Sequence, residues 1–129
     1  MIPMICSNDA KRAAMQAYID RMNAADLVGV VALYADNATI EDPVGSGKII
    51  SGKAAIEEFY AGSMKTKAQL KLSAPIRTSH SDSAAMAFEV TLDWGGLMTI
   101  SVIDVMTFNE QGQFTGMRAY WGPEDMRKH

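Results

Sequence analysis

The sequence predicts an α+β domain in which three helices cover one face of a curved, mostly antiparallel sheet. Apolar residues recur at helical spacing through the first half of the chain, and from Gln69 onward they alternate with a period of two. Gly95-Gly96 and Glu110-Gln-Gly112 fall between the last three alternating runs and read as hairpin turns. No repeat or low-complexity linker interrupts this order, so residues 1–129 form a single domain.

The start, Met1 to Ser7, reads as a loose lead-in: it lacks a basic region and is too short for the apolar core of a secretory signal. Ser7 to Asn23 carries Ala14, Met15, Tyr18 and Met22 on one helical stripe, with Ser7, Asn8 or Asp9 available as the cap. A short helix follows from about Asp26 to Tyr34. Asp36 to Asp42 then forms a strand that stops near Pro43 and Gly45, because proline lacks the donor a ladder needs. Gly52 to about Ser63 forms the third helix. The strands Gln69 to Ser79, Ser83 to Trp94, Leu97 to Asn109 and Gln113 to Trp121 complete the order. A sheet bent around helices leaves a cavity at its open end, suited to a small apolar ligand.

Composition removes several classes of function. With 12 Lys+Arg against 15 Asp+Glu the net charge is -3, and no basic run supplies the electrostatic footprint that nucleic acid requires. No apolar stretch reaches membrane-spanning length. The single Cys6 permits no internal disulfide, and a cytoplasmic location is expected. Only His80 and His129 are present, and the acidic pairs Glu41-Asp42, Glu57-Glu58 and Glu124-Asp125 match no ligand spacing, so no metal site is expected. Gly45-Ser-Gly47 and Gly95-Gly96 lack the Lys, Ser/Thr and helix context of a phosphate loop.

Strand parity then picks out candidate residues. Met98, Ile100, Val102, Asp104, Met106 and Phe108 share one face, so Asp104 is a lone carboxyl in an apolar wall. Desolvation there raises its pKa, and a neutral carboxylic acid can donate a hydrogen bond. A buried aspartate also serves structure, capping the backbone or pairing with arginine. Ala38, Ile40, Asp42 and Val44 place a second aspartate on an apolar face, with Glu41 turned to solvent; Asp42 is the better general base, although Asp-Pro also simply ends strands. Tyr18, on the apolar stripe of the first helix, is a third candidate, or a core tyrosine whose hydroxyl needs a partner. Met86, Phe88 and Val90 share a strand face, as do Met117, Ala119 and Trp121.

Together these residues carry a resemblance. Ala17-Tyr-Ile19, Tyr34-Ala-Asp-Asn-Ala-Thr-Ile-Glu-Asp-Pro-Val-Gly45, Phe59-Tyr60, Val102-Ile-Asp-Val-Met106 with Phe108, and Met117-Arg-Ala-Tyr-Trp121 resemble, in order and spacing, segments of the bacterial delta-5-3-ketosteroid isomerases. The resemblance covers nearly the whole chain, and its second and fourth segments are the specific ones. It implies the cone-shaped barrel of the nuclear transport factor 2 fold. By the same resemblance Asp42 is the general base, and Tyr18 and protonated Asp104 are the donors of an oxyanion hole. Tyr60 and Tyr34 chain to Tyr18, and the Trp121 indole sits by Asp42. Phe59, Met86, Phe88, Val90, Ile100, Val102, Met117 and Ala119 contact the substrate.

The implied reaction moves a steroid double bond into conjugation with a ketone, adds and removes no atoms, and needs no cofactor or metal. The implied partners are a small apolar steroid ketone and a second copy of the chain, since the family is dimeric. Leu97, Ile103 and Val105, among Thr99, Ser101 and Thr107, make a semi-apolar outer face that suits an interface. Two other readings stand beside this one. A same-fold cyclase or dehydratase is the first, the latter drawing on His80; a carrier or sensor that holds an apolar ketone without turning it over is the second.

Overall fold

The computed structural model describes residues 5–129. The first four residues of the expected lead-in lie outside the described residues. Helix α1 (Asn8–Asn23) is capped by the Ser7 hydroxyl, which accepts from the Ala10 N–H at 3.0 Å, and buries Met15, Tyr18, Ile19 and Met22. The Lys11 side chain is also buried. Its ammonium donates to Asn8 Oδ1 at 3.2 Å, to the Ser79 carbonyl at 3.5 Å and to the Ser81 carbonyl, tying α1 to the far half of the chain.

Helix α2 (Leu27–Val31) is shorter than expected. The Leu33 carbonyl accepts from the Phe114 N–H at 2.9 Å, so the chain has already left the helix, and Tyr34 opens strand β1 (Tyr34–Glu41). A two-residue strand β2 (Ile50–Ser51), absent from the sequence reading, pairs with β1. Gly52 then turns the chain with φ 86°, a left-handed conformation that favours glycine, and caps α3 (Lys53–Lys65).

The expected strand from Gln69 to Ser79 is two strands, β3 (Gln69–Leu72) and β4 (Arg77–Thr78), both antiparallel to β5 (Ser83–Asp93). The break includes Pro75, which has no N–H to give to a ladder. Strand β6 (Leu97–Phe108) pairs with β5 over the full length of β5, and β7 (Phe114–Tyr120) pairs with the second half of β6. After a 3-10 turn at Pro123–Asp125, β8 (Met126–Lys128) pairs with the first half of β6; this strand was also missed, being too short to show alternation.

The sheet runs β2-β1-β7-β6-β5-β3, with β4 beside β5 and β8 beside β6. It is mixed, because β1 lies parallel to β7. The architecture is therefore α+β, three helices over a curved, open sheet. The core lies between the helices and the even-numbered face of β5 and β6, where Met86, Phe88, Ile100, Val102 and Met106 are buried against α1 and α3 residues such as Met15, Ile56 and Tyr60.

Candidate active site

One cavity of about 330 Å³, within the size range of small-molecule sites, opens between the helices and the inner face of the sheet. Tyr18 reaches it from α1, Tyr60 from α3, Asp104 from the middle of β6, Asp42 from the residue after β1, and Trp121 from the residue after β7. Residues far apart in sequence thus meet because β1 and β6 flank β7 on opposite sides. Phe59, Phe88, Val90, Ile100 and Val102 supply much of the apolar wall.

Asp104 is 1% exposed, and neither carboxyl oxygen has a hydrogen-bond partner among the described residues. Burial first, and the charge of Asp42 second, push its pKa well above the ordinary carboxylate range. Burial thus favours the neutral acid, the form that carries an O–H donor. Asp42 is raised by burial to a lesser degree, because the Trp121 indole donates to its Oδ1 at 2.7 Å and favours the anion. Two aspartates in one cavity are thereby driven apart in proton affinity, one toward an acid and the other toward a base.

The tyrosines form a directed chain. Tyr60 donates to the Tyr18 oxygen at 3.2 Å and lies 2.5 Å from the Tyr34 oxygen. Since a phenol has a single proton, Tyr60 spends its own on Tyr18, and Tyr34 must be the donor to Tyr60. Tyr18 therefore keeps its O–H for the cavity. Burial raises the pKa of all three, so each holds its proton. Tyr34 does not reach the wall; it is fully buried behind Tyr60, where its ring packs edge-on against Phe114 at 5.1 Å between centroids.

Glu41 points away from the cavity, but it is not simply solvated: it accepts from the Gly45 N–H at 3.0 Å and lies 3.7 Å from Arg118. His80 is exposed and does not line the cavity. Met86, Met117 and Ala119, expected as substrate contacts, are also absent from the wall. They are buried in the core, Met86 and Ala119 as the cross-strand partners of Asp104. Parity gives the face of a residue, but not which part of that face the helices cover.

Sequence reasoning passed over Met22, Ser63, Thr66, Ala68, Leu70, Leu92 and Trp94, all on the wall. Met22 is one helical turn from Tyr18, and Leu92 continues the parity of Phe88 and Val90, so those two carried a signal. The others sit where a helix ends, a strand begins or a hairpin turns, and have none.

Chemically the cavity brings together a carboxyl group whose anion the Trp121 indole favours, a phenol O–H, and a second carboxyl group whose neutral, donor form burial favours. Among the described residues, no group of three or more His, Cys, Asp or Glu side chains could hold a metal ion, and no helix is long and apolar enough to cross a membrane.

Comparison with known proteins agrees with the resemblance read from the sequence. A steroid Delta-isomerase of Nocardioides simplex is 43% identical over 116 residues, which cover 89% of this chain and 92% of that protein. The epoxide hydrolase LasB of Streptomyces lasalocidi is 28% identical over 120 residues, although the chain spans only 42% of its length. Among solved structures, the epoxide hydrolase/cyclase-like enzyme SalBIII, described in pyran ring formation in salinomycin, superposes with a TM-score of 0.88 at 24% identity, covering 95% of this chain and 98% of that one. A computationally designed 17-OHP binder superposes with a TM-score of 0.85 at 23% identity, covering 93% and 96%. At such identities these two likenesses show the fold alone. The SnoaL-like domain model matches residues 15–117, and the chain belongs to the SnoaL-like domain family.

Proposed function

We propose that the protein is a cofactor-independent steroid delta-isomerase that moves the double bond of a 3-oxo-delta-5-steroid into conjugation with the ketone. Asp42 takes a proton from the carbon between the ketone and the double bond. The electron pair moves onto the ketone oxygen, giving a dienolate that Tyr18 and neutral Asp104 stabilise by donating hydrogen bonds. Asp42 then returns the proton two carbons further along, and the conjugated ketone leaves with no atom gained or lost.

The observation that carries this reading is the buried carboxyl of Asp104, without a hydrogen-bond partner among the described residues and held toward its neutral form by burial, sharing a cavity with Tyr18 and Asp42. The steroid Delta-isomerase relative supports it. A positioned base is worth about 100- to 10,000-fold in rate, and one oxyanion donor about 100- to 1,000-fold. Exclusion of water by the apolar wall strengthens both donations. Tyr34 and Tyr60 position Tyr18, Trp121 positions and tunes Asp42, and the apolar wall takes the steroid rings. The protein works as a homodimer through its outer sheet face, where Leu97, Ile103 and Tyr120 are 53%, 49% and 43% exposed.

The test is to follow the ultraviolet absorbance of the conjugated product from a 5-ene-3-keto steroid, with Asp42→Asn beside the wild type. Rapid conversion, reduced about 100- to 10,000-fold in the variant, is expected. A second reading is favoured by the epoxide hydrolase relative: an acid and a base aspartate facing one cavity also fit epoxide opening. A wild type that binds the steroid without converting it would refute the isomerase, and turnover of an epoxide would then select this alternative over a carrier.

A further inference from the structure

The cavity has a far end that the proposed chemistry leaves unused. Asp104 pairs with Met86, and Met98 pairs with Leu92, six residues away along both strands and so about 20 Å from Asp104. There the end of α3 is fastened to the sheet, because the Asp93 N–H donates to the Thr66 carbonyl at 2.8 Å. Thr66, Ser63, Leu92 and Trp94 form this part of the wall. Trp94 stands 57% exposed on a tight hairpin, its N–H donating to the Gly96 carbonyl at 2.9 Å.

The Thr66 hydroxyl is polarised in one direction. It donates to the Ser63 carbonyl at 2.5 Å, beside the Thr66 N–H, which donates to the same carbonyl at 3.1 Å and so closes the end of α3. A hydroxyl has one proton, so while that proton stays on the Ser63 carbonyl Thr66 Oγ1 acts as an acceptor toward a ligand in the cavity. A ketone facing it would bring two acceptors together, whereas a hydroxyl would donate to it.

We propose that Thr66 is a specificity-determining residue that accepts a hydrogen bond from a hydroxyl at the far end of the ligand, so that the protein prefers a D-ring hydroxyl to a D-ring ketone. The inference rests on the steroid reading of the cavity. It concerns binding alone, however, and is measured without turnover.

The test is calorimetric titration of the protein with two conjugated 4-ene-3-keto steroids, one bearing a D-ring hydroxyl and the other a D-ring ketone. The hydroxyl compound is expected to bind about three- to ten-fold more tightly. Thr66→Val brings the two Kd values together, and Thr66→Ser, which keeps the hydroxyl, retains the difference. Because the readout is a ratio within one variant, a general loss of affinity does not imitate it; Thr66→Ala replaces the valine variant if that does not fold. Equal affinities in the wild type, tighter binding of the ketone, or a preference that survives Thr66→Val would each overturn the proposal. Failure of both compounds to bind would instead refute the steroid reading on which it stands.

Discussion

Replacing Trp121 with phenylalanine separates the tuning of the base from the base itself. The substitution keeps a ring against the cavity wall and removes the indole N–H that donates to Asp42 Oδ1 at 2.7 Å. A hydrogen bond to a charged group is worth about 1.5–3 kcal/mol net, and one pKa unit corresponds to about 1.36 kcal/mol. Loss of the bond would therefore raise the pKa of Asp42 by about one to two units. Asp42 is only partly buried, so water replaces some of the donation, and the lower end of that range is expected. The base works as the anion, so the acidic limb of the kcat/KM profile moves to higher pH by about one unit. Above that limb the more basic Asp42 partly offsets the lost positioning, and the plateau falls less than about ten-fold. The assay is the absorbance of the conjugated ketone measured across pH for both proteins. An unmoved limb, a shift to lower pH, or a plateau loss as deep as that of Asp42→Asn would refute the reasoning.

Other consequences are equally open to measurement. Tyr60→Phe leaves the buried Tyr34 hydroxyl without its partner, and chemical denaturation is expected to show a loss of about 1–3 kcal/mol. Its turnover should fall by less than the roughly 100-fold typical of removing a direct oxyanion donor, and a larger drop would make Tyr60 more than a positioning residue. For Asp104 the folded pKa lies above the ordinary value of 3.8, so the native state binds more protons than the unfolded one and stability falls as pH rises between those two values. Asp104→Asn removes this slope, and the wild-type minus variant stability should decline by about 1.4 kcal/mol per pH unit from near pH 4 upward; parallel curves would mean that Asp104 folds as an anion. Ile103→Glu places a charge on the outer sheet face and should turn a dimer into a monomer in sedimentation, while an unchanged species would move the interface elsewhere.

Much of the site was legible in one dimension because strands alternate. The parity of β6 alone isolates Asp104 among apolar neighbours, and that of β1 turns Asp42 inward and Glu41 outward, as the cavity and the Arg118 contact now show. The chain order of helices and strands likewise fixed the α+β class. What parity lacks is depth. It could not tell Phe88, on the cavity wall, from Met86, two residues earlier on the same face and sealed in the core.

The sequence by itself determined which residues are amphipathic in which period, where turns must fall, and that the candidates for the chemistry are carboxyl and phenol groups rather than histidine. Only the tertiary structure decided that β1 would join β7 in parallel, ending α2 early and carrying Asp42 within reach of the Trp121 indole. It alone set the direction of the Tyr34–Tyr60–Tyr18 chain and left both oxygens of Asp104 without a partner among the described residues. The physical reason is that local propensity and periodicity act over a few residues, whereas a pKa and a donor's direction depend on groups brought together from α1, β1, α3 and β6, and on the water their packing excludes.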